Sequence, residues 1–215
     1  MPEDVLAAID SIKKLGIKVK IQKNYCEIIG NGINGFKYKK NLTINAKNSG
    51  TLGRLILGLL IKSPKKIKIV GDKSLSKRDF SRVTIPLGKF GVKFSYKTKN
   101  KLPLTILGTQ SAKGIKYLEN KGSAQCKSSV MLAALNASGI TSIKAKKSRN
   151  HSELLFKYLK IPIKIRKTKK FDFINIKKPE KINAFNYQIP GDISSSAFFM
   201  VLTMLANDSK LLIKN

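Results

Sequence analysis

Three segments of the chain are apolar on almost every side of the helix that their spacing predicts. Few polar positions interrupt their runs of Leu, Ile, Val, Met, Phe and Ala. A helix that is hydrophobic all round is buried inside a protein rather than laid on its surface. The pattern therefore predicts three interior helices, at about Ser49–Ile61, Ala124–Ala137 and Ser195–Leu205.

A second type of helix is predicted in three further segments, each followed by a run typical of a strand. The helices cover about Glu3–Leu15, Arg82–Phe90 and Glu153–Leu159, and the strands are GIKVKI, GVKFSY and IPIKIR. The first helix begins with acids and ends with lysines, as the helix dipole favours. Pro86 falls in the second helix, so we expect it in or near the first turn, where its missing N–H costs least.

The two helix types recur along the chain as an internal repeat. The turns after the second type, at Gly16, Gly91 and Ile161, are spaced 75 and 70 residues apart, and short strands (KKIKIV, TSIKA, KLLIKN) follow the interior helices. We predict an α/β (α+β) fold of helix–strand–helix–strand–strand units with buried parallel helices. The predicted units cover about 1–45, 46–120 and 121–186, and a further unit begins within 187–215.

The net charge of the 215-residue chain is +31 at pH 7. Such a charge attracts polyanions, so a basic nucleic-acid-binding protein is one interpretation. Only five of the 43 basic residues are Arg, the lysines are scattered through every segment, and no basic stripe interleaved with aromatic residues is apparent from the sequence. We therefore expect no specific nucleic-acid partner, although this alternative stays open.

Other features of the composition exclude further classes of protein. No apolar run reaches the length of a membrane span, and the N-terminus carries acids where a signal peptide carries basic residues. We expect no membrane association and a cytoplasmic location. The single histidine, His151, excludes a multi-histidine metal site, and Cys26 and Cys126 lack metal-ligand spacing. We expect no metal and no cofactor.

The segment GDKSLSKR at 71–78 has the composition of an anion-binding loop. Two hydroxyls, two ammonium groups and the guanidinium of Arg78 lie within six residues after a short apolar strand. Arginine can hold a phosphate or carboxylate with two parallel hydrogen bonds. The alternative interpretation is a solvated basic turn.

Small polar residues also begin each predicted interior helix. The free N–H groups and positive dipole of a helix N-terminus form an anion-binding surface, and three of them would converge if the helices are parallel. The alternative is simple N-capping by Asn48, Ser123 and Ser194.

Five motifs in this order resemble the 3-phosphoshikimate 1-carboxyvinyltransferase family, also called 5-enolpyruvylshikimate-3-phosphate synthase. They are KNSGTLGR at 47–54, GDKSLSKR at 71–78, SAQCKSS at 123–129, SRNHSE at 148–153 and IPGDISSSAFF at 189–199. The resemblance implies transfer of the enolpyruvyl group of phosphoenolpyruvate to the 5-hydroxyl of shikimate 3-phosphate, with release of phosphate. It also implies a monomer when the chain is complete.

The resemblance assigns binding residues to both substrates. Phosphoenolpyruvate would contact Asn48, Gly50, Thr51, Arg78 and Gln125, and shikimate 3-phosphate would contact Ser123, Ala124, Gln125, Ser148 and Arg149. Lys127 would assist, and Arg54 would either brace the loop or form a structural ion pair. Asp192 would cap the third helix, with proton transfer as the alternative role.

The resemblance also implies that this stretch holds no catalytic residue. The family's opening loop would precede Pro2, and its catalytic Asp and Glu would follow Asn215 in a second domain that is largely absent. We expect the isolated chain to have no transferase activity. The alternative enzyme is the related enolpyruvyltransferase acting on UDP-N-acetylglucosamine, but that family uses a loop cysteine near the position of Arg78, and none is present there.

Overall fold

The computed structural model describes residues 1–23, 25–33 and 35–213. Met1–Ile182 forms one compact unit, and Asn183–Asn215 forms a second, described as far as residue 213. The helices of the first unit are α1 (Glu3–Lys14), α2 (Gly50–Leu59), α3 (Lys73–Lys77), α4 (Ser81–Gly88), α5 (Ala124–Ala134) and α6 (His151–Tyr158). The second unit contains α7 (Ile193–Leu205).

The strands of the first unit form a hairpin and two four-stranded sheets. The hairpin pairs β1 (Lys18–Ile21) with β2 (Cys26–Ile29). The first sheet has the order β3-β4-β6-β5, from β3 (Leu42–Asn45), β4 (Ile67–Val70), β5 (Lys93–Tyr96) and β6 (Leu104–Leu107). The second has the order β7-β8-β10-β9, from β7 (Lys116–Glu119), β8 (Ile140–Lys146), β9 (Ile163–Lys167) and β10 (Phe171–Lys177).

The two sheets share one topology. In each, the first two strands are parallel and are joined through an interior helix, α2 or α5, because a parallel pair needs a long crossover. The remaining pairs are antiparallel. Each repeat therefore begins on a strand that precedes its interior helix, at Leu42 and at Lys116. The unit bounds read from the sequence stay a prediction.

The core lies on one face of each sheet. Alternate strand residues are buried, among them Ile44, Ile69 and Ile106 in the first sheet and Ile143 and Ile174 in the second. The helices α2 and α5 pack against each other inside this core. A Cβ added at Gly58 of α2 would lie 2.2 Å from the carbonyl oxygen of Ser129 in α5, so the two backbones are in direct contact. The predicted interior helices are confirmed at these two positions.

The prediction of an interior helix is wrong for α7. Its large apolar side chains are exposed, including Phe198 at 77% and Met204 at 84%. The described part of the second unit, residues 183–213, contains one helix and no strand, so it offers no layer against which this helix could bury its side chains. The strand predicted at 210–215 is not formed over 210–213, and its last two residues lie outside the described residues.

Two local predictions also need correction. The segment predicted as an anion-binding loop contains the short helix α3, because the Asp72 carboxylate accepts from the Leu75 N–H and caps its start. Pro86 lies at the sixth position of α4 rather than in its first turn. Because Pro86 has no N–H, it cannot donate to the carbonyl of Arg82, and this loss falls near the end of the helix, two residues before Gly88.

Candidate functional site

A cavity of about 430 Å³ lies at the start of α2. Its walls come from α1, from the loop before α2, from the end of α3 and from the start of α5, and they contain Glu3, Asp4, Lys47, Asn48, Ser49, Gly50, Thr51, Arg78 and Gln125. The starts of α2 and α5 are adjacent, since Gln125 Nε2 donates to Thr51 Oγ1 at 2.8 Å. Two helix N-termini therefore contribute positive potential to this end of the core.

Gly50 holds the first position of α2 beneath two guanidinium groups. A Cβ added there would lie 2.7 Å from Arg54 Nη1 and 3.1 Å from Arg78 Nη1. Ser49 caps the helix by accepting from the Leu52 N–H. The N-cap is therefore Ser49 and not the predicted Asn48. A glycine at this point leaves the backbone open to a ligand that reaches the guanidinium of Arg78.

Asp72 joins the loop before α2 to the segment that carries Arg78. Its backbone N–H donates to Lys47 O at 2.8 Å, and its carboxylate accepts from the Asn48 side-chain amide. The pKa of Asp72 is lowered, first by the hydrogen bond from the Leu75 N–H and then by that from Asn48, because both favour the carboxylate form. This ionised carboxylate holds Asn48 in place at the cavity wall.

Arg54 supports the cavity wall through hydrogen bonds to Gly50 and Gln125. Its Nη1 donates to Gly50 O at 3.1 Å and to Gln125 Oε1 at 2.9 Å, and its guanidinium lies 5.3 Å from the centre of the Phe80 ring. Burial is the main cause that lowers the pKa of Arg54, and arginine remains protonated in proteins. The bracing role is therefore confirmed, and it fixes Gln125 with its amide oxygen towards Arg54 and its amide nitrogen towards Thr51.

A second group of predicted residues lies at the start of α5 and in the loop before α6. Ser123 caps α5 by accepting from the Cys126 N–H, and its own N–H donates to the buried Glu119 carboxylate at 3.0 Å. A Cβ added at Gly122 would lie 3.2 Å from Lys147 O, so the 147–150 loop runs beside this helix start. Ser148 Oγ is buried and has no hydrogen-bond partner among the described residues, which is uncommon for a buried hydroxyl.

Lys127 has a different environment from the one predicted. It is completely buried, and its Nζ donates to Arg149 O at 3.0 Å and pairs with the buried Glu153 carboxylate. It therefore holds the backbone of Arg149 against α5. Neither residue type nor spacing reveals this pair, because Glu153 is an ordinary first-turn acid of α6 in the sequence.

The structure brings together part of the predicted site in one cavity. Asn48, Gly50, Thr51, Arg78 and Gln125 all line it. Ser123, Ala124, Ser148 and Arg149 lie outside its walls, around the start of α5. Two acids that the sequence analysis attributed to the helix dipole, Glu3 and Asp4, also line the cavity. The substrate contacts of all these residues stay a prediction.

Ser194 is not the cap of its helix. Asp192 caps α7, as predicted, by accepting from the Ser194 N–H at 3.0 Å. The helix α7 belongs to the second unit.

The described residues contain neither a candidate membrane-spanning helix nor a candidate metal cluster. No helix there is long and apolar enough to cross a membrane. No group of three or more His, Cys, Asp or Glu side chains in residues 1–23, 25–33 and 35–213 is arranged to hold a metal ion.

The known proteins that resemble this chain belong to one family. The family model of EPSP synthase (3-phosphoshikimate 1-carboxyvinyltransferase) matches residues 2–215. The 3-phosphoshikimate 1-carboxyvinyltransferase of Streptococcus mutans serotype c is 38% identical over 215 residues, which cover 99% of this chain and 49% of that protein. The same enzyme of Streptococcus pyogenes serotype M1 is 36% identical with the same coverage. The chain thus spans about half the length of these curated relatives.

Solved structures agree with this assignment. EPSP synthase from Acinetobacter baumannii superposes with a TM-score of 0.83 at 33% identity, covering 94% of this chain and 45% of that one. The match extends over nearly the whole chain and confirms the predicted α/β fold. The chain therefore belongs to the EPSP synthase family.

Proposed function

We propose that the chain forms one half of the site for enolpyruvyl transfer from phosphoenolpyruvate to shikimate 3-phosphate. The observation that carries the proposal is the cavity that gathers Gly50, Arg78 and Gln125 at two adjacent helix starts. Preorganised N–H groups and a guanidinium suit a small phosphorylated anion. In this proposal Arg78 holds the phosphate of phosphoenolpyruvate, and Asn48, Gly50, Thr51 and Gln125 form the rest of its pocket.

The shikimate 3-phosphate subsite is proposed at the start of α5. Ser123, Ala124 and Gln125 supply that helix start, and the 147–150 loop supplies Ser148 and Arg149. The buried hydroxyl of Ser148 supports this location, because a ligand phosphate would satisfy it. Gln125 belongs to both subsites and would hold the two substrates at reacting distance.

The chemistry of the transfer explains why binding residues dominate this half. A proton adds to the methylene carbon of phosphoenolpyruvate, and the 5-hydroxyl of shikimate 3-phosphate attacks C2 as a base takes its proton. The tetrahedral intermediate then loses phosphate together with a proton from the new methyl group, which restores the carbon–carbon double bond. Both substrates are polyanions, so dense positive charge lowers the barrier, whereas an acid and a base are also required. We propose that these catalytic groups come from outside residues 1–215, and that the chain alone is inactive.

The two alternatives have less support. A UDP-N-acetylglucosamine enolpyruvyltransferase would need a cysteine near Arg78, but Cys126 is buried in α5 and Cys26 is exposed on β2. A nucleic-acid-binding protein as the main function is not favoured by the family match. We also propose that the protein works in the cytoplasm, as a monomer when complete.

The proposal is tested by completing the chain at both ends with the remaining segments of the Streptococcus mutans enzyme, its opening loop and its second half. We expect phosphate release that requires both substrates in this hybrid, and none from the isolated chain. As a matched pair, Ser148→Ala in the loop should raise the KM for shikimate 3-phosphate, and the exposed Ser95→Ala on β5 should leave it unchanged. Phosphate release by the isolated chain, or equal effects of the two substitutions, would overturn the proposal.

A further inference from the structure

The outer face of the second sheet carries an uncompensated positive charge. Alternate residues of its strands point away from the core, and six of these are cations: Lys116, Lys144, Lys146, Lys164, Arg166 and Lys177. The two acids on these strands, Glu119 and Asp172, are buried on the opposite face, where they pair with Arg82 and Lys147. No described acid therefore lies among the outward residues of this sheet.

Aromatic rings lie among these cations. Phe171 and Phe173 occupy outward positions on the central strand β10 and take no part in the hydrophobic core. Arg166 lies 4.3 Å from the centre of the Phe173 ring, and Lys144 lies 4.7 Å from the centre of the Phe171 ring. This pairing of cations with aromatic rings is not apparent from the sequence, because Lys144 comes from a different strand and lies far from both rings along the chain.

A shallow groove crosses this face. Its volume is about 610 Å³, and all four strands line it, with Lys116, Lys144, Lys164, Arg166 and Phe173 among its walls. Four strands about 4.8 Å apart make a platform about 14 Å wide. The groove therefore offers several cations and a stacked ring–guanidinium pair along one continuous path.

The first sheet provides an internal comparison. It has the same strand order, yet its outward residues include only two cations, Lys68 and Lys93, and no aromatic ring. The phenylalanine and tyrosine of β5, Phe94 and Tyr96, pack against the core instead. The charge of the second sheet is therefore a local feature and does not simply follow from the lysine content of the chain.

From these observations we infer that the outer face of the second sheet binds single-stranded nucleic acid without sequence selectivity. Lysines neutralise phosphates, whereas bases stack on aromatic rings and on guanidinium planes. The bases of a double helix are already stacked on one another, and an acidic peptide has no bases. Neither ligand would therefore stack on the Phe173–Arg166 pair. This binding is separate from the proposed transfer reaction, and its test does not require that reaction.

Retention of the chain on heparin or on DNA would not by itself locate the site, because a net charge of +31 predicts such retention wherever on the surface the ligand binds. The test compares two triple variants with equal charge. The face variant carries Lys144→Gln, Lys164→Gln and Arg166→Gln, and the control variant carries Lys66→Gln, Lys68→Gln and Lys93→Gln on or beside the first sheet. All six side chains are exposed, on strands or on adjoining turns, so we expect both variants to fold. Thermal unfolding of each variant checks this.

Binding is measured with a fluorescent oligothymidylate of about ten nucleotides, within the range of site sizes for such surfaces. The face variant should bind at least about tenfold more weakly than the control variant. Its slope of log K against log salt should fall by about 2, as expected for three lost phosphate contacts at about 0.7 each. Equal weakening in both variants, or no binding by the unmodified chain, would overturn the inference.

A substitution that keeps the charge tests the role of the ring. Phe173→Leu should weaken oligothymidylate binding by about fivefold or more, the low end for loss of a base–aromatic stack, while leaving heparin affinity unchanged. If oligothymidylate and oligoglutamate of equal charge bind equally to the unmodified chain, the face recognises charge alone and the inference is wrong.

Discussion

Gln125 in α5 and Thr51 in α2 are joined by a 2.8 Å hydrogen bond across 74 residues of sequence. The same amide accepts from Arg54 at 2.9 Å, so both of its ends are fixed. This contact sets the starts of the two interior helices side by side. It also places Gln125 in the cavity wall next to Gly50 and Arg78, which gives the proposed site its two helix dipoles and its guanidinium.

The close packing of α2 on α5 predicts that Gly58 tolerates no side chain. In Gly58→Ala, the new Cβ would lie 2.2 Å from the backbone oxygen of Ser129, so the helices must separate. We expect a loss of about 1–3 kcal/mol in the free energy of unfolding, as for other overpacked cores. Urea unfolding measures it.

Gly88→Ala is the matched control, because no atom lies within 4 Å of a Cβ at this position in α4. It should be neutral or stabilise the protein by up to about 1 kcal/mol through helix propensity. Equal effects of the two alanines would show that α2 and α5 are not in backbone contact.

The buried Lys127–Glu153 pair predicts a strongly asymmetric response to substitution. Lys127→Met leaves the buried Glu153 carboxylate without its cation, which should cost about 3–5 kcal/mol of unfolding free energy. Removing both charges in Lys127→Met with Glu153→Gln should restore much of this loss. Chemical denaturation of the single and double variants checks the prediction. A double variant less stable than Lys127→Met would contradict it.

The lowered pKa of Asp72 predicts a contribution to stability that is lost in acid. Its folded pKa lies below the unfolded value of 3.8, so the contribution is complete above that value and disappears as the pH falls through the folded pKa. In Asp72→Asn, which keeps an N-cap, the decline of the melting temperature below about pH 4 should be shallower than in the unmodified chain. Thermal melts across this range measure it. Parallel curves would show that Asp72 is not responsible.

The sequence predicts the interior of the fold well because burial leaves a strong pattern. The run at 49–61 has almost no polar face, the run at 124–137 is apolar without interruption from Val130 to Leu135, and both form buried helices, α2 and α5. Arg78 and Gln125 could be assigned to one site only through the family resemblance, since 46 residues lie between them and no local rule brings them together.

Other features depend on tertiary contacts that the sequence does not encode locally. The apolar pattern of α7 is as strong as that of α2, yet its side chains are exposed in the described chain, because burial needs a partner surface as well as an apolar helix. The helix α3 forms because Asp72 caps it, and the composition of its segment had favoured a loop. The burial of Lys127 depends on Glu153, which is contributed by another helix.

The central claim is that the cavity at the start of α2 binds phosphoenolpyruvate through Arg78. Its most direct test is the affinity of the hybrid enzyme for phosphoenolpyruvate, measured by calorimetry with shikimate 3-phosphate present. Arg78→Ala should weaken binding by about 30-fold or more, as expected when a guanidinium–phosphate contact worth about 2–5 kcal/mol is lost. Arg166→Ala on the outer face of the second sheet removes the same charge and should leave the affinity unchanged. Equal affinities of the Arg78→Ala and Arg166→Ala hybrids would contradict the claim.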